Sequence, residues 1–197
     1  QMVAAAKLRR AQEAAEMARP YAEKMEAVMG SLAASVGDGE GAPRLLAGTG
    51  SDLVHMLVVM TAERGLCGGF NSSIVRLARQ RINSLLAEGK TVKILTVGKK
   101  GREQLKRDHA DKFVGHIDMS EVKRVGYADA ANVAKDLLGR FDDGEFDVCT
   151  IFFARFQSVI SQVPTATQVI PASFDAPQDD EQGADTLYDY EPSEEGV

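Results

Sequence analysis

The sequence is poor in features that define several specialised classes of protein. It has only two cysteines, Cys67 and Cys149, which lie far apart and form no Cys-x-x-Cys pair. We therefore expect a reducing compartment and no zinc site, with a disulfide as the alternative. The longest apolar runs are too short to cross a bilayer, and the N-terminus lacks the basic-then-apolar order of a signal peptide. Both absences predict a soluble chain.

The chain also lacks an excess of basic residues. Its formal net charge is -6, which argues against a general nucleic-acid binder, because a phosphate backbone is matched by surplus Lys and Arg. With 197 residues, of which 44% are hydrophobic and 26% charged, the chain is long enough to bury a core. These values are typical of one globular domain, with or without an extension.

Residues 1–36 consist mostly of strong helix formers. Larger apolar residues recur every three or four positions, which predicts one apolar helix face; they are Met17, Tyr21, Met25, Val28 and Leu32. At ~1.5 Å per residue this helix is roughly 50 Å long, more than a small domain needs, so we expect part of it to project. Pro20 predicts a kink or a local break, and the glycine-rich residues 37–43 predict a linker.

From residue 53 onward, short apolar runs alternate with amphipathic segments. Strands are predicted at 53–62, 91–98, 112–117, 146–156 and 158–171, the last pairing nearby, and helices at 70–88, 99–108 and 127–141. Runs such as "MLVVM" and "CTIFF" are apolar on both faces. The pattern predicts an α/β fold with a mostly parallel sheet covered by helices.

The stretch "TAERGLCGGFNSS", residues 61–73, follows the first strand. A strand, a glycine turn and a helix can together bind phosphate. However, the turn from Gly65 to Gly69 lacks the spacing of a dinucleotide fingerprint and the lysine of a P-loop. We therefore favour a structural turn and expect no cofactor, and a small nucleotide-dependent α/β enzyme stays as the alternative. Cys67 has no nearby histidine or paired carboxylate to activate it.

Four motifs in order resemble one family over nearly the whole chain. They are "MVAAAKLRRAQ" (2–12), "RPYAEKM" (19–25), "TAERGLCGGFNSSI" (61–74) and "YDYEPS" (188–193), and they are similar to the gamma subunit of rotary F-type ATP synthase. The resemblance implies a Rossmann-like α/β foot domain that binds no nucleotide. It also implies a long N-terminal helix that pairs, as an antiparallel coiled coil, with a C-terminal helix.

The resemblance implies a mechanical function without bond chemistry. A central-stalk rotor couples proton-driven rotation of a membrane c-ring to ATP synthesis in a hexamer of alpha and beta subunits, with an epsilon-type subunit at the foot. The implied location is the cytoplasmic face of the bacterial inner membrane, as a peripheral protein, or alternatively the matrix side of the mitochondrial inner membrane. The thiol-regulatory insertion of chloroplast members is absent, so we expect no thiol switch.

The resemblance also implies which residues contact partners. Near the lower rim of the hexamer these are Met2, Lys7, Arg9 and Arg10; the alternative for the charged ones is an ordinary solvated helix surface. At the foot, they are Tyr188, Tyr190 and Glu191, which would contact the membrane ring and the epsilon-type subunit. The alternative for these three is the end of a strand packed against the sheet.

The family pattern extends before Gln1 and beyond Val197, so we expect this chain to be truncated at both ends. The predicted organisation is a stalk helix at 1–36, a linker at 37–52, the foot domain at 53–174, and an acidic linker at 175–197 leading to a missing C-terminal helix. A helical adaptor that recruits one partner through the apolar helix face is a third hypothesis.

Three further features receive structural interpretations. His55, His109 and His116 have no spacing that favours a metal or catalytic site, and are expected to be packed or on the surface. The basic run at 99–107 lacks interleaved aromatics and is expected to be a solvated helix face. The acidic cluster at 141–147 lacks the spacing of a calcium loop and predicts a turn into the next strand.

Overall fold

The computed structural model describes the backbone of residues 2–36 and 42–172, and the side chains of residues 5–33 and 42–172. Residues 48–172 form one compact unit, whereas the helices of residues 2–47 belong to a second one. The helices are α1 Met2–Val36, α2 Arg44–Ala47, α3 Phe70–Ala87, α4 Lys99–His109 and α5 Tyr127–Asp142, with a short 3-10 helix at Ala110–Lys112. The strands are β1 Val54–Met60, β2 Thr91–Val97, β3 Phe113–Ile117, β4 Val148–Ser158 and β5 Ser161–Ile170.

The α1 helix is 35 residues long and includes Pro20 without interruption. The local break predicted there is therefore wrong. Helix formers on both sides of Pro20 continue the helix, so the loss of one backbone donor does not end it. Along the predicted apolar face, Met17 and Tyr21 are 81% and 66% exposed, whereas Leu32 is only 8% exposed.

The five strands form one sheet in the order β3-β2-β1-β4-β5. β1 pairs in parallel with β2 and β4, and β2 pairs in parallel with β3. β5 turns back and pairs antiparallel with β4. The α/β fold class and the mostly parallel sheet are confirmed, and the strand order changes direction between β1 and β4, as in doubly wound folds.

Helices cover both faces of the sheet because successive residues of the central strand point to opposite sides. On one face, Leu57 and Val59 pack with Ile74, Ala78 and Ile82 of α3, and Leu105 of α4 joins the same cluster. On the other face, Met56 and Val58 pack with apolar residues of α5, which are Val133, Leu137 and Phe141. Five consecutive residues of β1, His55 to Val59, are buried, which explains its nearly continuous apolar sequence.

Candidate functional site at the carboxyl edge of the sheet

The glycine turn at residues 61–69 begins where β1 ends, beside the point where the strand order changes direction. In open α/β sheets this crevice is the usual ligand site, because loops and helix N-termini converge there. A ligand site needs backbone amides that have no partner within the protein. The hydrogen bonds made at this edge therefore decide between a ligand site and a structural turn.

Thr61 joins the end of β1 to the start of α4. Its backbone N–H donates to the carbonyl of Val97 at 2.8 Å, and its Oγ1 accepts the N–H of Gly101 at 2.7 Å. The same hydroxyl lies 3.4 Å from the carbonyl oxygen of Gly98, to which it donates. One side chain thus ties two neighbouring strand ends together.

Glycine is required at position 98 for two reasons. Its φ of +91° lies in the region that side-chain-bearing residues avoid. A Cβ at this position would also lie 2.0 Å from the carbonyl oxygen of Thr61, well inside van der Waals contact. The backbones of the two loops therefore approach more closely than a residue other than glycine at position 98 would allow.

The first three amides of α4 are all occupied by the loop after β1. Lys99 N–H donates to Glu63 Oε2 at 3.2 Å, Lys100 N–H donates to the carbonyl of Ala62 at 3.1 Å, and Gly101 N–H donates to Thr61. These are the groups with which a helix N-terminus binds phosphate. The protein itself thus fills the anion site at the start of α4.

Asn71 fixes the opposite end of the same loop. Its side chain, which is buried at the start of α3, accepts the N–H of Ala62 at 2.9 Å. Its amide donates to the carbonyl of Arg64 at 3.4 Å and to Cys67 Sγ at 3.1 Å. Sequence reasoning assigned no role to Asn71. The available signal was an asparagine in the first turn of a predicted helix, where its side chain often binds nearby backbone.

The tip of the turn is exposed. Leu66 is fully exposed and has a φ of +61°, and Gly68 has a φ of +59°. Cys67 is an exposed free thiol, whereas Cys149 is a buried free thiol whose pKa is raised to about 12 by burial. The two cysteines are unpaired, so the alternative of a disulfide between them is wrong.

The predicted partner residues on α1 are exposed. Lys7, Arg9 and Arg10 all lie on the solvent-accessible surface of that helix, and Arg9 Nε is 2.8 Å from Glu13 Oε1 one turn away. Such an exposed pair stabilises the helix only slightly. The side chain of Met2, and Tyr188, Tyr190 and Glu191 entirely, lie outside the described residues.

The three histidines lie in separate environments. Buried His55 lies 2.6 Å, through Nε2, from Asp52 Oδ1, and His116 Nδ1 lies 2.9 Å from Thr96 Oγ1. At His109, desolvation and then Lys112 lower the pKa of the ring. Within residues 2–36 and 42–172, no three potential ligands are grouped to hold a metal ion. His55 and His109 are buried and His116 is half-buried.

The charged clusters are structural. Lys99 and Lys100 of the basic run each lie near Glu103 of the same helix, at 3.8 and 2.6 Å. Asp147, from the acidic cluster, accepts hydrogen bonds from the 49–54 segment. Burial acts to raise the pKa of Asp147, but hydrogen bonds from Thr49, Val54, Ser51 and Leu53 outweigh it and hold the pKa below its usual value.

The sheet order, the mostly parallel pairing and the helices on both faces define a Rossmann-like α/β protein, here with a long N-terminal helix. A family model described as ATP synthase matches residues 1–197. An ATP synthase gamma chain of Jannaschia sp. is 72% identical over the whole chain, which covers 68% of that relative. A gamma chain of Cereibacter sphaeroides is 75% identical over the whole of this chain, which covers 67% of that relative. The chain belongs to the ATP synthase gamma chain family.

A solved structure supports the same assignment. The central stalk and c-ring of the Tetrahymena thermophila mitochondrial ATP synthase contains a chain with 25% identity and a TM-score of 0.62, and the match covers 86% of this chain and 70% of that one. The resemblance seen in the sequence is confirmed, and with it the assignment to the central stalk of an F-type ATP synthase. The helices in the described ranges include none long and apolar enough to cross a membrane.

Proposed function

We propose that this chain is the non-catalytic rotor of the ATP synthase and transmits torque by contact alone. The family match carries the rotor assignment. Its non-catalytic character is proposed from the carboxyl edge, where Thr61, Ala62 and Glu63 occupy the first amides of α4. A site that supplies its own anion and backbone acceptors is closed to nucleotide phosphates. No amide at the start of α4 is therefore free for a phosphate. The alternative enzyme would use the Gly65–Gly69 turn, which leads into α3, and against it stand the missing fingerprint spacing and the missing P-loop lysine.

The partners of the proposed rotor are the alpha and beta subunits, an epsilon-type subunit and the membrane c-ring. Residues 1–36 act as the stalk helix inside the hexamer, residues 37–52 as a linker, and residues 53–174 as the foot. Met17 and Tyr21, exposed on α1, then pack against a C-terminal helix beyond Val197. Residues 175–197 lead toward that helix.

The mechanism follows from differential contact. A rotor shifts the equilibrium between open and closed states of a catalytic subunit only as far as its contacts differ between those states. Lys7, Arg9 and Arg10 supply such contacts with acidic loops of the hexamer, because all three are exposed on one helix. The strength of these contacts falls as the ionic strength rises, since exposed charges are screened.

The proposed location is the cytoplasmic face of the bacterial inner membrane, and the bacterial relatives support it. A direct test replaces the gamma gene of a related bacterium with one that encodes this sequence inside a full-length subunit. Membranes should then perform ATP-driven proton pumping. Membranes that hydrolyse ATP with an assembled complex but pump no protons would contradict the proposal.

A further inference from the structure

Glu63 makes a second contact that the closing of the crevice does not require. Its Oε2 accepts Lys99 N–H at the start of α4, and its Oε1 accepts the N–H of Met119 at 2.7 Å. Met119 belongs to the segment between β3 and α5, residues 118–126, 56 positions further along the chain. One carboxylate thus connects the loops that follow three neighbouring strands.

The carboxylate is well suited to this position. An anion near a helix N-terminus is stabilised by the partial positive charge of amides that have no acceptor within the helix, and hydrogen bonds from N–H groups to a carboxylate are stronger than neutral ones. Glu63 is also half-buried, so water competes less for its oxygens than at an exposed site.

The 118–126 segment is attached in one other way, because the Met119 side chain packs against the core cluster that contains Met56 and Val58. Among the described residues its backbone bonds are local, from Ser120 to the Asp118 side chain and from Val122 to the Met119 carbonyl. The segment then enters α5 through Gly126, whose N–H donates to Asp129 Oδ2 at 2.8 Å. The hydrogen bond to Glu63 joins Met119, the second residue of the segment, to the loops after β1 and β2.

We infer that Glu63 is a latch: a positioning residue that holds the 118–126 segment to the end of β1 and the start of α4. This role rests on the proposed function, because its consequence is mechanical. With the latch closed, the loops after β1, β2 and β3 move as one body when the rotor carries torque. With the latch open, part of the applied twist is absorbed by displacement of the 118–126 segment.

The test uses full-length subunits assembled in the complete ATP synthase, with Glu63→Ala and Glu63→Gln. Hydrogen exchange at Met119 and Ser120 should become about tenfold faster in Glu63→Ala, the change expected for loss of one charge-assisted hydrogen bond. Glu63→Gln retains one carbonyl acceptor and should restore part of the protection. The matched control is Glu121→Ala, in the same segment, where an exposed carboxylate is removed.

The mechanical readout is the torsional stiffness of the rotor, measured from the angular fluctuation of a bead attached to it. It should fall in Glu63→Ala, recover partly in Glu63→Gln, and stay unchanged in Glu121→Ala. Unchanged exchange at Met119 in Glu63→Ala would overturn the latch. Faster exchange with unchanged torsional stiffness would overturn its mechanical role, while leaving the rotor function itself intact.

Discussion

Gly98 and Thr61 approach so closely that a Cβ on Gly98 would lie 2.0 Å from the Thr61 carbonyl oxygen. This approach allows Thr61 to reach the amide of Gly101 and close the carboxyl edge. The glycine turn after β1 therefore does not close the carboxyl edge alone. Gly98, which follows β2, is also needed to bring the two loops into hydrogen-bond contact.

We predict that Gly98→Ala lowers the free energy of unfolding by roughly 3 kcal/mol or more, because it adds a severe overlap to an unfavourable φ. The control is Gly89→Ala, which has a φ of +75° but no atom within 4 Å of the added Cβ. Its free energy of unfolding should fall by only about 1–2 kcal/mol, which is the cost of the left-handed conformation. Urea unfolding of both variants measures the difference, and equal losses would contradict the close approach.

Asp147 should make stability depend on pH. Its pKa is lowered from 3.8 in the folded protein, so its contribution is present above the unfolded pKa and is lost as the pH falls through the folded pKa. We expect Asp147→Asn to lose roughly 2 kcal/mol at pH 7, because the amide replaces a charged acceptor of several hydrogen bonds. The loss should shrink below pH 3.8.

Asp143→Asn is the matched control for Asp147, because its side chain is exposed in the same turn. It should change the unfolding free energy little at either pH. A loss in Asp147→Asn that stays the same from pH 7 to pH 3 would show that the charge of Asp147 does not contribute to the attachment of residues 49–54.

Many elements of this fold could be predicted from the sequence because they depend on local pattern. The apolar runs fixed β1 and β2 to within two residues, and the alternation with amphipathic segments predicted the α/β class. The break at Pro20 was wrong because the strong helix formers around it outweigh one lost donor. The strand order was not predicted, since pairing is decided by contacts between distant parts of the chain.

The site was predicted only in outline. The motif identified residues 61–74 as a structural turn, but no local pattern relates Glu63 to Met119 or Thr61 to Gly101. These hydrogen bonds join residues 56 and 40 positions apart. The sequence predicted a turn into β4 at residues 141–147, but no local pattern shows that the four donors to Asp147 come from a segment more than 90 residues earlier.

We predict that the protein binds no nucleotide. Calorimetric titration with ATP, ADP or NAD should give no saturable heat. The Gly65–Gly69 turn lacks the fingerprint spacing and the P-loop lysine, and the first α4 amides already have partners. Gly68→Val serves as the comparison, since it adds bulk at the exposed turn. Micromolar binding to the unmodified chain that disappears in Gly68→Val would contradict the structural interpretation of the turn.

Tyr188 and Tyr190 remain predicted anchors of the foot. Tyrosine combines apolar area with a polar tip and is enriched in interfaces. Changing both to Ala in the full-length subunit should weaken attachment of the catalytic sector to the membrane sector, while the detached sector still hydrolyses ATP. Glu191→Gln should add a weaker, salt-dependent loss. Attachment and coupling that persist in the double variant at low and moderate salt would contradict this role.

The central claim is that this chain turns as a rotor, and the most direct measurement is to watch it turn. Ile160 is 96% exposed at the β4–β5 turn, so Ile160→Cys gives an attachment point for a bead. Cys67→Ser removes the other exposed thiol and keeps an acceptor for Asn71. In an immobilised hexamer assembled with the full-length subunit, the bead should rotate in one direction with ATP and stop without it. A bead that stays fixed while the same hexamers hydrolyse ATP would contradict the claim.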